Sequence, residues 1–120
     1  MNRIELIRRL VLNAICDGYQ NVDQVILQQV SEGGAMLGLT VITRSEILDA
    51  LAGLIADGLA KAYLLSSREP HSTELQGMPS LDVVEENFTT YFDITKKGMD
   101  FHLSDDTWRP FDDEGAPRKA

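Results

Sequence analysis

The sequence predicts a small mixed α+β domain that is mainly helical and carries one β-hairpin. Three segments in the first half have apolar residues at helical spacing, and glycine follows each of them. Two later segments, 59–65 and 88–94, are instead typical of strands, the second being rich in aromatic and β-branched residues. With 120 residues, 43% of them hydrophobic and 25% charged, the chain has the size and composition of one globular domain.

The first helix is predicted over residues 3–17, with Gly18 ending it. Its apolar stripe consists of Ile4, Ile7, Val11, Ala14 and Ile15. Leu6 and Leu10 lie off that stripe, so the apolar arc is wide and we expect neighbours on two sides of the helix. Either the helix crosses the middle of its own core, or it is shared with a second subunit.

A second helix is expected after Asn21, which can cap it, with Gln24 three residues further on at the spacing of a capping box. Its buried line consists of Val22, Ile26 and Val30. Gly33 and Gly34 predict its end, and residues 35–42 are expected to form a connection.

Thr43 and Glu46 form the clearest capping box of the sequence and predict the start of a third helix. Its core-facing stripe consists of Ile47, Leu48, Leu51, Leu54 and Ile55. Gly58 stands where a left-handed residue ends a helix, and the first strand follows at 59–65.

The segment between the two strands, residues 66–86, predicts a long loop. Its turn residues are Pro70, Gly77 and Pro79. After the second strand, Thr95 can cap a short last helix. Gly98 inside that helix predicts the close approach of a neighbouring backbone, because glycine is otherwise unfavourable there.

Two stretches resemble winged-helix transcription regulators of the PadR and MarR type. Residues 46–59 are similar to the passage from the third helix into the wing, and residues 91–98, Tyr-Phe-Asp-Ile-Thr-Lys-Lys-Gly, resemble the closing signature. The resemblance implies a winged-helix domain over residues 1–103, in the order helix-helix-helix-strand-strand-helix. Its wing loop would lie at about 66–86, and residues 104–120 would form a separate tail.

Relatives of this type bind DNA with the third helix in the major groove. The resemblance therefore implies phosphate contacts by Arg44 on that helix and by Lys61 and Arg68 on the wing. These cations are few, so DNA binding would require a dimer that gathers them from two subunits.

The net charge of the chain argues against DNA binding. It has 11 Lys and Arg against 19 Asp and Glu, a net charge of −8, whereas DNA binding draws most of its affinity from cations at phosphates. The third-helix face opposite the core stripe carries three carboxylates and no cation. It consists of Ser45, Glu46, Asp49, Ala52, Gly53, Ala56 and Asp57.

Asp49, Ala52, Gly53 and Ala56 are the candidate partner-contact residues of this face. Ala52, Gly53 and Ala56 are small, so a second helix or a strand could approach closely. The alternative is that they lie under the wing or in solvent.

No motif for catalysis, a cofactor or a metal is recognised: there is no G-x-S-x-G, no G-x-G-x-x-G and no P-loop. His71 and His102 lack the paired spacing of zinc ligands, and we expect the first in a loop and the second on a helix surface. Cys16 is the single cysteine, expected as a buried structural thiol, and it fits a reducing compartment. No signal peptide or membrane span is recognised, so we expect a cytoplasmic protein without membrane, metal or cofactor partners.

These observations favour a non-enzymatic module that acts through protein contacts, as a homodimer or in a regulatory complex. The alternative is a dimeric DNA-binding transcription regulator. In the acidic tail, Trp108 and Phe111 are candidate anchors for a partner's groove, and the acids would steer the tail towards a basic partner. Alternatively, these two aromatic residues fold back and close the domain's own core.

Overall fold

A computed structural model describes residues 2–67, 69, 71–81 and 89–104. These residues form four helices and a three-stranded antiparallel sheet, which confirms a mainly helical α+β fold. The elements in chain order are α1 (Arg3–Ile15), a π-helical turn (Val22–Ile26) leading into α2 (Leu27–Met36), α3 (Arg44–Ala56), β1 (Ala60–Leu65), β2 (Ser72–Glu74), β3 (Thr90–Ile94) and α4 (Lys96–Ser104).

Helix α1 runs through the centre of the domain. It contacts α2, α3, α4 and β3, and Val11, Leu12 and Ile15 on it are completely buried. The wide apolar arc is therefore covered by the domain's own core. The prediction is wrong for Ile4, which is 67% exposed because it lies in the first turn and borders only a surface groove.

The glycine pair in α2 does not end the helix, so the predicted stop at Gly33 and Gly34 is wrong. The helix continues to Met36, and Gly38 (φ +77°) is the first residue beyond it in the left-handed region. A Cβ on Gly33 would lie 2.6 Å from Leu10 Cδ2, and one on Gly34 would lie 2.5 Å from Ile42 Cδ1. The missing side chains therefore allow close packing of α2 against core side chains.

The caps predicted at Asn21 and Thr43 are observed, the first on the π-helical turn that leads into α2 and the second on α3. Asn21 Oδ1 accepts hydrogen bonds from the amides of Asp23 and Gln24, although the first turn after this cap is π-helical. Thr43 and Glu46 form both hydrogen bonds of the predicted capping box. Each cap satisfies helical amides that have no intrahelical acceptor.

The sheet has the order β2-β1-β3 and contains one strand more than the predicted hairpin. Strand β2 lies inside the predicted loop 66–86 and pairs Glu74 with Tyr63 of β1. All its residues are exposed, so it has no apolar alternation that would reveal it in the sequence. The second predicted strand is observed as Thr90–Ile94, and residues 82–88 lie outside the described part.

Helix α4 is held against the start of the sheet by direct backbone contact. Gly58 (φ +75°) ends the α3 segment, and Thr95 Oγ1 donates to the Gly58 carbonyl at 2.7 Å while accepting from the Gly98 amide. A Cβ on Gly98 would overlap the carbonyl of Leu59. The predicted close approach at Gly98 is thus confirmed.

Replacing Gly98 with alanine is expected to destabilise the domain by at least about 2 kcal/mol, because a backbone carbonyl cannot move aside as a side chain can. Gly33→Ala is the matched control. Its new methyl meets only the flexible tip of Leu10, and the gain in helix propensity offsets that contact, so the change should stay within about 1 kcal/mol. Urea unfolding of both variants measures the difference. Equal losses of stability would contradict the assigned backbone contact.

Candidate functional site

The predicted contact face of α3 is only partly open. Asp49 and Ala56 are exposed, whereas Ala52 and Gly53 are half-buried. A Cβ on Gly53 would overlap the guanidinium of Arg8, which reaches across from α1. The expectation of a face without cations is therefore wrong for the folded domain, because α1 supplies them.

Arg3 joins the start of α1 to the start of α3. Its Nε and Nη2 donate to the two carboxylate oxygens of Glu46 at 2.8 and 3.0 Å, and it also donates to the carbonyls of Thr40 and Val41. Glu46 accepts from the Thr43 amide as well. The hydrogen bond from Arg3, followed by the one from Thr43, lowers the pKa of Glu46 to about 2. Glu46 is thus fixed within the fold.

Arg8 lies between two surface grooves. One groove, of about 260 Å³, separates α1 from α3 and has Ile4, Ile7 and Ala50 along its walls, with Asp49 beside them. The other, of about 210 Å³, extends towards Phe101 on α4. The ion pair of Arg8 with Asp57 is long, at 3.4 Å.

Arg9 lies on the opposite side of the second groove, where it ties α1 to the end of α4. Its Nη1 donates to the Phe101 carbonyl at 2.9 Å, and its guanidinium carbon lies 3.9 Å from the centroid of the Phe101 ring. A cation is favourable there, because the last carbonyls of a helix carry partial negative charge.

Two of the cations proposed for phosphate contacts are paired with carboxylates of the same domain. Arg44 donates to both carboxylate oxygens of Asp23, at 2.8 and 3.2 Å. Lys61 on β1 forms a 2.8 Å ion pair with Glu74 on β2, and the hydrogen bond that Lys61 donates to Glu74 raises the pKa of Lys61. The third candidate, Arg68, lies outside the described residues, as do Trp108 and Phe111 of the tail.

The sheet brings together the chain's three tyrosines, an arrangement that the sequence analysis missed. Tyr63 and Tyr91 are directly opposite in the β1–β3 register, so their side chains share one face. Tyr19 meets Tyr63 edge to face, with ring centroids 5.0 Å apart and planes at 86°. We call these residues the tyrosine face.

The two histidines and the cysteine lie apart. His71 is exposed in a loop, as predicted, but the prediction for His102 is wrong, since only 2% of that residue is exposed. His102 follows Gly98 by one helical turn, so both lie on the buried side of α4. Cys16 is half-buried and donates to the Asn13 carbonyl at 3.0 Å.

Within the described ranges, no group of three or more His, Cys, Asp or Glu side chains is placed to hold a metal ion. In the same residues, no helix has both the length and the apolar character needed to cross a bilayer. Comparisons with protein-family models, curated proteins and solved structures give no match. The residues themselves are therefore the basis for any functional proposal.

Replacing Glu46 with glutamine is expected to lower the free energy of unfolding at neutral pH, because Arg3 loses its carboxylate partner. The ordinary pKa of 4.5 falls to about 2 in the folded state, so the unfolded chain binds more protons between these values. The carboxylate's contribution is thus complete above about pH 4.5 and is lost as the pH falls towards 2. The difference between wild type and variant should shrink over that interval in urea titrations.

The control for this measurement is Asp49→Asn on the same helix, because Asp49 is exposed and has no ion pair among the described residues. Its stability difference from wild type should stay small from neutral to acid pH. A Glu46→Gln difference that is constant across the acid range would contradict the bond to Arg3.

Proposed function

We propose that the chain is a non-enzymatic, winged-helix-like regulatory module that acts in the cytoplasm through contacts with other proteins. Three helices followed by a small sheet and a closing helix are compatible with that architecture. The absence of a recognised catalytic motif in the sequence supports a binding role rather than a catalytic one.

The observation that carries this proposal is the pairing of Arg44 with Asp23 and of Lys61 with Glu74. In a winged-helix protein on DNA, the cations of the third helix and the wing contact phosphates. Here each of these two cations would first have to leave a carboxylate. That carboxylate would then remain beside the phosphate and repel it, which favours partners other than nucleic acid.

The groove between α1 and α3 supports contact with protein. Ile4 is 67% exposed at this groove, Ile7 and Ala50 line it as buried residues, and Arg8 and Asp49 offer one charge of each sign. An apolar centre with polar groups around it is typical of protein interfaces. The small residues Ala52 and Ala56 lie on the same helix and leave room beside the groove.

Wild-type protein is expected not to bind duplex DNA in fluorescence anisotropy titrations up to about 10 µM at low salt, a range where non-specific binders are detected. The double variant Asp23→Asn/Glu74→Gln should bind weakly and in a salt-sensitive manner. It releases Arg44 and Lys61 from their carboxylate partners and removes the negative charges beside them.

The double variant Asp49→Asn/Asp100→Asn is the matched control, because it changes net charge equally and replaces two exposed aspartates that are not in ion pairs among the described residues. It should remain unable to bind DNA. Tight, salt-dependent binding by the wild-type protein would overturn the proposed function in favour of a DNA-binding regulator.

A further inference from the structure

We propose that the tyrosine face, made of Tyr19, Tyr63 and Tyr91, binds a basic, proline-rich segment of a protein partner. This inference rests on the proposed function and names the chemistry of the partner.

The register of the sheet fixes the shape of the tyrosine face. Tyr63 lies in the central strand, with Tyr91 opposite on one side and Glu74 opposite on the other. Directly opposed residues of antiparallel strands project from the same side, so these three side chains form a row across the sheet. The other side of the same strands is the core side, where Ala62 and Phe92 are buried.

Tyr19 is brought to this row by the turn after α1. Its neighbour Gln20 forms two backbone hydrogen bonds with Phe92, both of 2.9 Å, which attach the turn to the free edge of β3. The ring of Tyr19 is 42% exposed and stands perpendicular to the ring of Tyr63. The two rings therefore form a corner instead of a flat stack.

Such a corner fits proline. Proline-rich segments bind surfaces lined with aromatic rings, because the pyrrolidine of proline packs on an aromatic ring. The segment also loses little conformational entropy, since its polyproline II helix is formed before binding. Tyrosine also supplies a hydroxyl that can donate to the exposed carbonyls of such a segment. The hydroxyl is protonated at neutral pH because the ordinary pKa of tyrosine is 10, and burial raises the pKa of Tyr63 further.

The charges on this face select a basic partner. Asp93 lies opposite Lys61 in the register and has no ion pair among the described residues, while Lys61 is held by Glu74. Among the described residues, the face thus has the carboxylates of Glu74 and Asp93 against the single cation of Lys61, which is paired with Glu74. The whole chain, at −8, adds a long-range attraction for cationic segments.

The same charges argue against a single-stranded nucleic acid, the other class of ligand that stacks on aromatic rings of a sheet. Those platforms combine stacking with a positively charged groove along the backbone. Here Asp93 and Glu74 would face the phosphates, and Lys61 is not available to neutralise them. The observations therefore favour a protein segment.

The test uses the full chain and a fluorescein-labelled ten-residue peptide of alternating proline pairs and single arginines, followed by anisotropy. Binding should saturate at micromolar to submillimolar protein. Two peptides serve as controls: one with glutamate for arginine, and one with glycine for proline at equal charge. Each control peptide should bind at least about tenfold more weakly than the basic, proline-rich peptide.

Two substitutions locate the site. Tyr63→Leu keeps apolar bulk but removes the ring, and it should weaken binding about tenfold. Asp93→Asn should weaken binding a few-fold at low salt only, whereas Asp49→Asn, with the same change of net charge, should have no effect. Comparison of Asp93→Asn with Asp49→Asn keeps the test decisive if Tyr63→Leu does not fold, because neither aspartate is in an ion pair among the described residues.

Absence of binding up to about 1 mM protein would overturn the inference, as would equal binding by the Asp93 and Asp49 variants. Preference for a labelled oligothymidylate over the basic peptide would overturn it in favour of nucleic acid. If neither the peptide nor duplex DNA binds, the inference about the tyrosine face is wrong while the proposed function is not contradicted. If the wild type binds duplex DNA, the proposed function fails.

Discussion

The charged surface of the domain is arranged by a small number of cations that each join two parts of the chain. Arg3 connects α1 to α3, Arg9 connects α1 to α4, and Arg44 connects α3 to the turn before α2. Lys61 connects β1 to β2. In a chain with 11 Lys and Arg against 19 Asp and Glu, a cation engaged with a carboxylate has to leave it before it can contact a polyanion. The same interactions that order the elements therefore also limit what the surface can bind.

Close backbone packing around α1 and α4 is the second constraint, and it explains where the glycines occur. Gly33 and Gly98 lie inside helices, where glycine lowers stability. A Cβ on Gly33 would meet only the end of the Leu10 side chain, whereas one on Gly98 would overlap the backbone carbonyl of Leu59. The contact at Gly98 brings one side of α4 onto Leu59, and this side also carries His102 into the interior. The missing side chain of Gly98 thus permits this orientation of α4, which Thr95 and Arg9 also hold through hydrogen bonds.

The sequence predicts those features that depend on residues close together in the chain. The capping box of Thr43 and Glu46, the helix end at Gly58 and the apolar stripe of α3 are local patterns, and all three are observed. Strand β2 was not predicted, because all its residues are exposed and the sequence therefore shows no alternation of apolar and polar residues there. The position of Arg8 over Gly53 was not predicted for a different reason. These residues are 45 positions apart in the chain and come together only when α1 packs against α3.

The tyrosine face shows how a candidate site arises from requirements of the core. Alternation in β1 and β3 predicts two faces for each strand, but only the register decides which residues become neighbours. A slip by one residue would expose Phe92 and turn Tyr91 inward, so burial of Phe92 maintains the pairing of Tyr63 with Tyr91. Lys61 and Asp93 are placed opposite each other by that register too. The aromatic and acidic character of the face therefore persists as long as the core is intact, and a partner would meet a surface that is already formed.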